Sequence, residues 1–192
     1  MDLNAEAIQI CQLSLWIKTA ARGKQLTSIG HTVRAGNSVI GGPAVHPKAF
    51  DWQAAFPEVF AQADSSCVAA RSGGGFDVVV GNPPYIQQEL LTPYKPWLET
   101  HYDAFHGMAN IYVYFYELGV RLLKPGGLLC FIVTNKWMKA GYGEPLRRFF
   151  SEKAWVRSVV DFGHVNQILE DVNASTRAGK RPLEMQLIRA GF

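Results

Sequence analysis

An α/β fold built on an open parallel sheet is what this sequence predicts, and three observations carry the prediction. Apolar, β-branched runs at 76–80, 127–134 and 156–162 read as strands. Residues 109–123, with apolar side chains at helical spacing, separate the first two runs, and a basic helix at 144–152 precedes the third. Strands that alternate with helices need crossover connections, which keep neighbouring strands parallel.

In chain order, residues 4–19 form a first helix. Asn4 is placed as its N-cap, and Ala7, Ile8, Cys11 and Leu15, with Leu13, Trp16 and Ile17, supply a broad apolar stripe. Residues 32–35 suggest a short strand that ends at Gly36, Asn37 and Ser38. Residues 40–75 read as a long connection with one short helix and a closing glycine run. That run is no phosphate cradle, because a strand follows it where a helix N-terminus would be required. The strand at 76–80 is expected to be of the buried parallel type. Residues 86–106 read as an irregular, aromatic-rich loop. The helix at 109–123 packs Tyr112, Phe115, Tyr116, Leu118, Gly119, Leu122 and Leu123, and Pro125-Gly126 close it. A terminal strand is expected at 183–190.

With 192 residues and 48% apolar content, the chain has enough material for one domain with a sizeable core. A net charge of +3 permits a polyanionic partner without arguing for one. The apolar runs are too short to cross a bilayer and the N-terminus lacks a signal-peptide layout, so a cytoplasmic protein without a membrane partner is expected. Cys11, Cys67 and Cys130 are isolated and the histidines lack metal-ligand spacing, so no metal site is expected.

Chemistry enters at Asn82-Pro83-Pro84-Tyr85, directly after the first apolar run. An asparagine oxygen accepts hydrogen bonds from an exocyclic amine. Consecutive prolines stiffen the backbone and remove competing N–H donors. A tyrosine ring offers a face on which a planar group stacks. Roughly one chain of this length in a hundred would carry such a tetrapeptide by accident. In open sheets, ligands bind at the carboxyl ends of strands. Gly36 to Ser38, Asn82 to Tyr85, and Thr134-Asn135-Lys136-Trp137 all fall at such ends and are predicted to face one cleft.

From Asp2 to about Gly163 the sequence resembles the N6-type adenine-specific DNA methyltransferases, in particular the large restriction–modification enzymes of the type IIG kind. The resemblance rests on Asp2-Leu3-Asn4 with Leu13-Ser14-Leu15-Trp16, Gly36-Asn37-Ser38, residues 76–86, residues 110–127, and Val160-Asp161-Phe162-Gly163. It implies a Rossmann-like sheet that uses S-adenosyl-L-methionine as cofactor. By that resemblance Asp2 would hold the cofactor's ribose, Asn37 and Ser38 its adenine, and Asn82 would border the cofactor. Asn82 and the Pro83 carbonyl would accept the two N6 hydrogens of the target adenine. Pro84 would stiffen the turn, and Tyr85 would stack on the base once it is flipped from double-stranded DNA. Lys136, Arg147 and Arg148 read either as phosphate contacts or as a solvated basic face.

The match to that family is incomplete. The family's first strand and glycine-rich loop would lie upstream of Asp2, and a target-recognition domain would begin where this chain ends. Residues 1–163 are therefore expected to form a partial catalytic domain, a core fragment with residues 164–192 as a divergent tail. A missing upstream segment, a recognition domain or a specificity subunit is the expected partner besides DNA. No nuclease-type acidic cluster supports restriction activity, and Asp161-Phe162-Gly163 lacks the companion motifs of a protein kinase. Two alternatives stay open: a protein-glutamine methyltransferase, whose acceptor is also a planar amide, and a non-catalytic remnant that binds DNA or a partner.

Overall fold

A computed structural model of the chain describes residues 3–19, 30–60, 74–161 and 184–190. The chain divides into two compact units, Met1–Phe56 and Pro57–Phe192.

In the first unit, helix α1 spans Ala5–Thr19. The Asn4 Oδ1 accepts the Glu6 N–H at 2.9 Å, as its placement at the N-cap requires. The expected apolar stripe is not buried: Ile8 is buried, whereas Ile10, Leu13, Leu15, Trp16 and Ile17 are exposed. At 100° per residue these positions point to all sides of the helix, so no single packing face can cover them. The short strand expected at 32–35 does not form. Residues 30–33 turn, and an isolated parallel bridge joins Asn37 to Ala49. Asn37 explains the bend, because its Oδ1 accepts the Val39 and Ile40 amides at 3.1 and 3.2 Å and curls the chain back locally. Helix α2, Trp52–Ala55, is capped by Asp51, and its flanking rings Phe50, Trp52 and Phe56 pack together.

The second unit opens with α3, Pro57–Phe60. Among its described residues the 40–75 connection thus carries two short helices in place of the one expected, since Pro57 ends the first and suits the start of the second. There follow β1 (Phe76–Gly81), α4 (Lys95–His101) and α5 (Ile111–Arg121). Next come β2 (Leu123–Val133), α6 (Lys136–Lys139) and α7 (Glu144–Lys153). Strands β3 (Ala154–Asp161) and β4 (Glu184–Ala190) complete the described elements. Helix α4 lies inside the segment expected to be irregular, and Pro96 in its first turn is compatible with that helix.

The sheet order is β1-β2-β4-β3. Strands β1 and β2 are parallel, and β4 runs antiparallel to both β2 and β3. The sheet is therefore mixed, with β4 inserted in reverse between two strands of common direction. An antiparallel neighbour needs no crossover helix, and strand direction is not set by the alternation of strands and helices that predicts the parallel pair. Strand β2 begins earlier than its apolar run, and the pairing jumps from Phe76–Leu123 to Val78–Leu128. Pro125 and Gly126 thus form a bulge rather than a helix terminus; Gly126, at φ 78°, supplies the left-handed residue.

Along β2 the side chains alternate. Leu129, Phe131 and Val133 are buried, while Leu128, Cys130 and Ile132 are half-buried. The buried row meets α5, where a Cβ on Gly119 would lie 2.7 Å from the Leu129 Cδ1. Tyr116, fully buried, centres the core: its ring lies 5.4 Å from Phe131, 5.6 Å from Trp137 and 5.4 Å from Phe150. The opposite face is less covered. Val78 and Val80 on β1 are 52% and 73% exposed, which corrects the expectation of a strand buried on both faces. Strand β1 is an edge strand among the described residues, with β2 as its neighbour. Replacing Leu129 by Ala should cost about 2–5 kcal/mol of folding stability, whereas Val80→Thr should stay within about 0.5 kcal/mol. Urea unfolding of the two full-length variants checks the contrast.

Candidate functional site

Strand β1 delivers the chain to Asn82 at the carboxyl edge of the parallel pair. The strand end lies tight against β2, since a Cβ on Gly81 would sit 3.0 Å from the Phe131 ring. Asn82 and Pro84 are exposed, Pro83 is buried and Tyr85 is half-buried. Just beyond, the Ile111 N–H donates to the Ile86 carbonyl at 3.2 Å. One of the N–H groups that a helix start leaves unsatisfied thereby fixes the exit of the motif. The Tyr85 ring lies 6.1 Å from that of Tyr112, tilted by 58°. The Tyr112 hydroxyl in turn meets the Tyr142 hydroxyl at 2.9 Å. Burial pushes the Tyr112 hydroxyl far above the usual tyrosine range, reinforced by Tyr142, so it remains protonated.

The loop after β2 adjoins this motif. Thr134 is buried and its Oγ1 accepts the Lys136 N–H at 3.4 Å. Asn135 is half-buried, Lys136 and Lys139 are exposed, and Trp137 is buried in the Tyr116 cluster. Arg147 is not a surface cation reaching outward. Its Nη1 donates to the Trp137, Met138 and Ala140 carbonyls at 2.6, 3.3 and 3.0 Å, satisfying the C-terminal end of α6. Arg148 is exposed on α7.

A second anchor holds the segment between the motif and α5. Glu117 is fully buried, and its two oxygens accept the Asp103 and Ala104 amides at 3.0 and 2.7 Å. Arg121 pairs with Glu117, donates to the His101 carbonyl at 2.9 Å and lies over the Tyr102 ring. Burial pushes the Glu117 carboxyl above its ordinary value, against the lowering effect of those amides and of Arg121.

Of the residues singled out from sequence, Asn82, Pro83, Pro84 and Tyr85 thus stand beside Thr134 to Trp137. Asn37 and Ser38 belong to the other compact unit, and Asp2, Cys67, Phe162, Gly163 and the 164–182 stretch lie outside the described residues. Tyr142, Glu117 and Arg147 were not singled out for these contacts. Glu117 did carry a signal, a carboxylate in the middle of an apolar helix face. Arg147 carried none, because its partners are backbone carbonyls brought close by folding.

Polar loops at the ends of adjacent parallel strands, beside packed aromatic rings, occupy the place where open-sheet α/β domains bind ligands. Comparison with known proteins narrows that class. The chain belongs to the Eco57I restriction-modification methylase family, which matches residues 1–168. It is 42% identical over 102 residues to the type II methyltransferase M.XhoI of Xanthomonas vasicola, covering 50% of this chain and 18% of the relative. With the type II methyltransferase M.PaeR7I of Pseudomonas aeruginosa it shares 38% over 102 residues, 53% of this chain and 18% of the relative. With the type II restriction enzyme and methyltransferase RM.Eco57I of Escherichia coli it shares 35% over 96 residues, 46% and 9% respectively. The chain spans less than a fifth of the length of these curated relatives. Among the described residues, no helix is long and apolar enough to cross a membrane.

Glu117 yields a prediction about pH. Its carboxyl is held above the ordinary 4.5 in the folded chain, so the unfolded chain releases this proton first. Over that window the folded state binds more protons, and stability falls as pH rises. The unfolding free energy of the wild type relative to Glu117→Gln should decline as pH rises above the ordinary carboxylate value of 4.5; urea titrations at a series of pH values check it.

Proposed function

We propose that this chain carries the target-base side of a methyl transfer from S-adenosylmethionine to the N6 amine of adenine in DNA, within a restriction–modification-type system. The supporting observation is Asn82-Pro83-Pro84-Tyr85 at the carboxyl end of β1, in a chain of this family. An adenine N6 lone pair is delocalised into the ring, so the amine is a poor nucleophile. The Asn82 side-chain oxygen and the Pro83 carbonyl would accept its two hydrogens and draw the nitrogen toward a tetrahedral shape, freeing the lone pair. Tyr85 would stack on the flipped base, which replaces part of the stacking lost in the duplex. Positioning and electrostatics carry this step, without a strong general base. When bound, S-adenosylmethionine supplies an electrophilic methyl group on sulfur.

The described residues fit the base better than they fit the cofactor. Asn82 is exposed at the strand end, Pro83 is packed and Tyr85 has a buried ring behind it. On the cofactor side, Asn37 spends its side-chain oxygen on its own loop. Its part would then be confined to the amide nitrogen, with Ser38, Asp2 and Asn82 as the other proposed contacts. Lys136 and Lys139, exposed beside the motif, are proposed to meet DNA phosphates. Arg147 is withdrawn from that role by its internal bonds.

Asn82→Ala should lower methyl transfer by about 100-fold or more, since one acceptor of the reacting amine is lost. DNA affinity should stay within about twofold, because phosphate contacts supply most of it. Transfer of labelled methyl groups to unmethylated DNA, measured beside a filter-binding titration, checks both. Unchanged transfer in Asn82→Ala, or an equal fall in DNA affinity, overturns the proposal.

A further inference from the structure

Tyr112 has a hydroxyl that the core does not need. The residue is 0% exposed, and phenylalanine would fill the same space beside α5. A buried hydroxyl persists only with a hydrogen-bond partner, and here the partner is Tyr142 at 2.9 Å. The bond therefore joins the first turn of α5 to a turn far along the sequence. At one end the Tyr112 ring leans on Tyr85. At the other, Tyr142 sits in the 3-10 turn Gly141–Gly143, between the exposed lysines of α6 and the start of α7. That turn has a firm base. The Gly143 N–H donates to the Ala140 carbonyl at 3.1 Å, Arg147 binds the same carbonyl, and a Cβ on Gly143 would collide with the Trp137 carbonyl.

We infer that Tyr112 and Tyr142 are positioning residues for the target base: their hydroxyl–hydroxyl bond orients Tyr85 and couples it to the basic loop after β2. The inference rests on the adenine reading of the site. The Ile111–Ile86 bond holds the backbone just past Tyr85, while the Tyr112 ring acts on the Tyr85 side chain itself. The Tyr112 ring packs against that of Tyr85, and Tyr142 restrains Tyr112. A stacking surface set in advance loses less freedom when the base arrives, so binding is tighter. Because Lys136 and Lys139 precede the same turn, phosphate contact there and base stacking at Tyr85 become linked events.

The test uses the full chain with isotopically labelled tyrosine rings, Tyr85 signals being assigned with Tyr85→Phe. Deoxyadenosine monophosphate is the probe. Tyr142→Phe, at a half-buried position, should shift the Tyr85 ring signals and weaken the probe about 3–10-fold, the effect of one neutral hydrogen bond. Tyr112→Phe should do the same, and the double variant should be no worse than either single one, because both remove the same bond. Unchanged Tyr85 signals in Tyr142→Phe, or fully additive losses in the double variant, overturn the positioning role. A wild-type chain that does not bind the probe while its Tyr85 signals still respond to Tyr142→Phe overturns the adenine reading instead.

Discussion

Helix α5 can serve as the spine of the second unit because Gly119 lets it approach β2 to the distance at which a methyl group would strike Leu129. At that separation the helix reaches outward with each of its turns. Tyr112, at its start, supports the motif after β1. Tyr116, one turn on, fills the space between β2 and α7 and touches Phe131, Trp137 and Phe150. Glu117 and Arg121 seize the chain at His101 to Ala104. A bulkier residue at position 119 would push the helix from the sheet and move all of these contacts at once. Overpacking of that kind costs about 1–3 kcal/mol even where the fold survives.

The sheet shows the opposite situation on its other face. Val78 and Val80 project from an edge strand, and Leu128, Cys130 and Ile132 are only partly covered. Exposed β-branched residues on an edge strand invite pairing with another chain, and proteins ordinarily blunt or cover such edges. Charge does some of this here, since Asp77 on β1 pairs with Lys124 at the bulge of β2. The hydrophobic requirement of the sheet is therefore met asymmetrically: helices satisfy one face, while the other keeps apolar surface in contact with solvent.

How much of this was legible in the sequence differs from element to element. Strands β1, β2 and β3 and helices α5 and α7 were readable because each is an uninterrupted run whose period matches one structure. Helix α1 was readable in extent, through Asn4 and its apolar content, but not in burial, because apolar residues on all sides define no face. The direction of β4 was not readable, as pairing depends on neighbours and not on composition. At the site, Asn82 to Tyr85 announced itself through the proline pair. The bond between Tyr112 and Tyr142 could not, since a tyrosine in a packed helix looks the same whether or not its hydroxyl has a partner. Asn37 is ambiguous for a related reason: asparagine after glycine suits a ligand contact and a self-capped turn equally, and its side-chain oxygen is engaged in the turn.

Chemistry that depends on positioning rather than on acid and base requires stiffness, and here the stiffness has two sources. The prolines limit the backbone at Pro83 and Pro84 but leave the Asn82 and Tyr85 side chains unconstrained. Those must be fixed from outside the motif. For Tyr85 the restraint comes from α5, through the Tyr112 ring and the Ile111–Ile86 bond. Helix α5 is itself fixed by its contact with β2, the strand that leads to the neighbouring loop. A displacement of the basic loop and a displacement of the stacking ring therefore share one support. On the proposed reading the tetrapeptide would supply the chemical groups, and the packing between Gly119 and Leu129 would keep them in register.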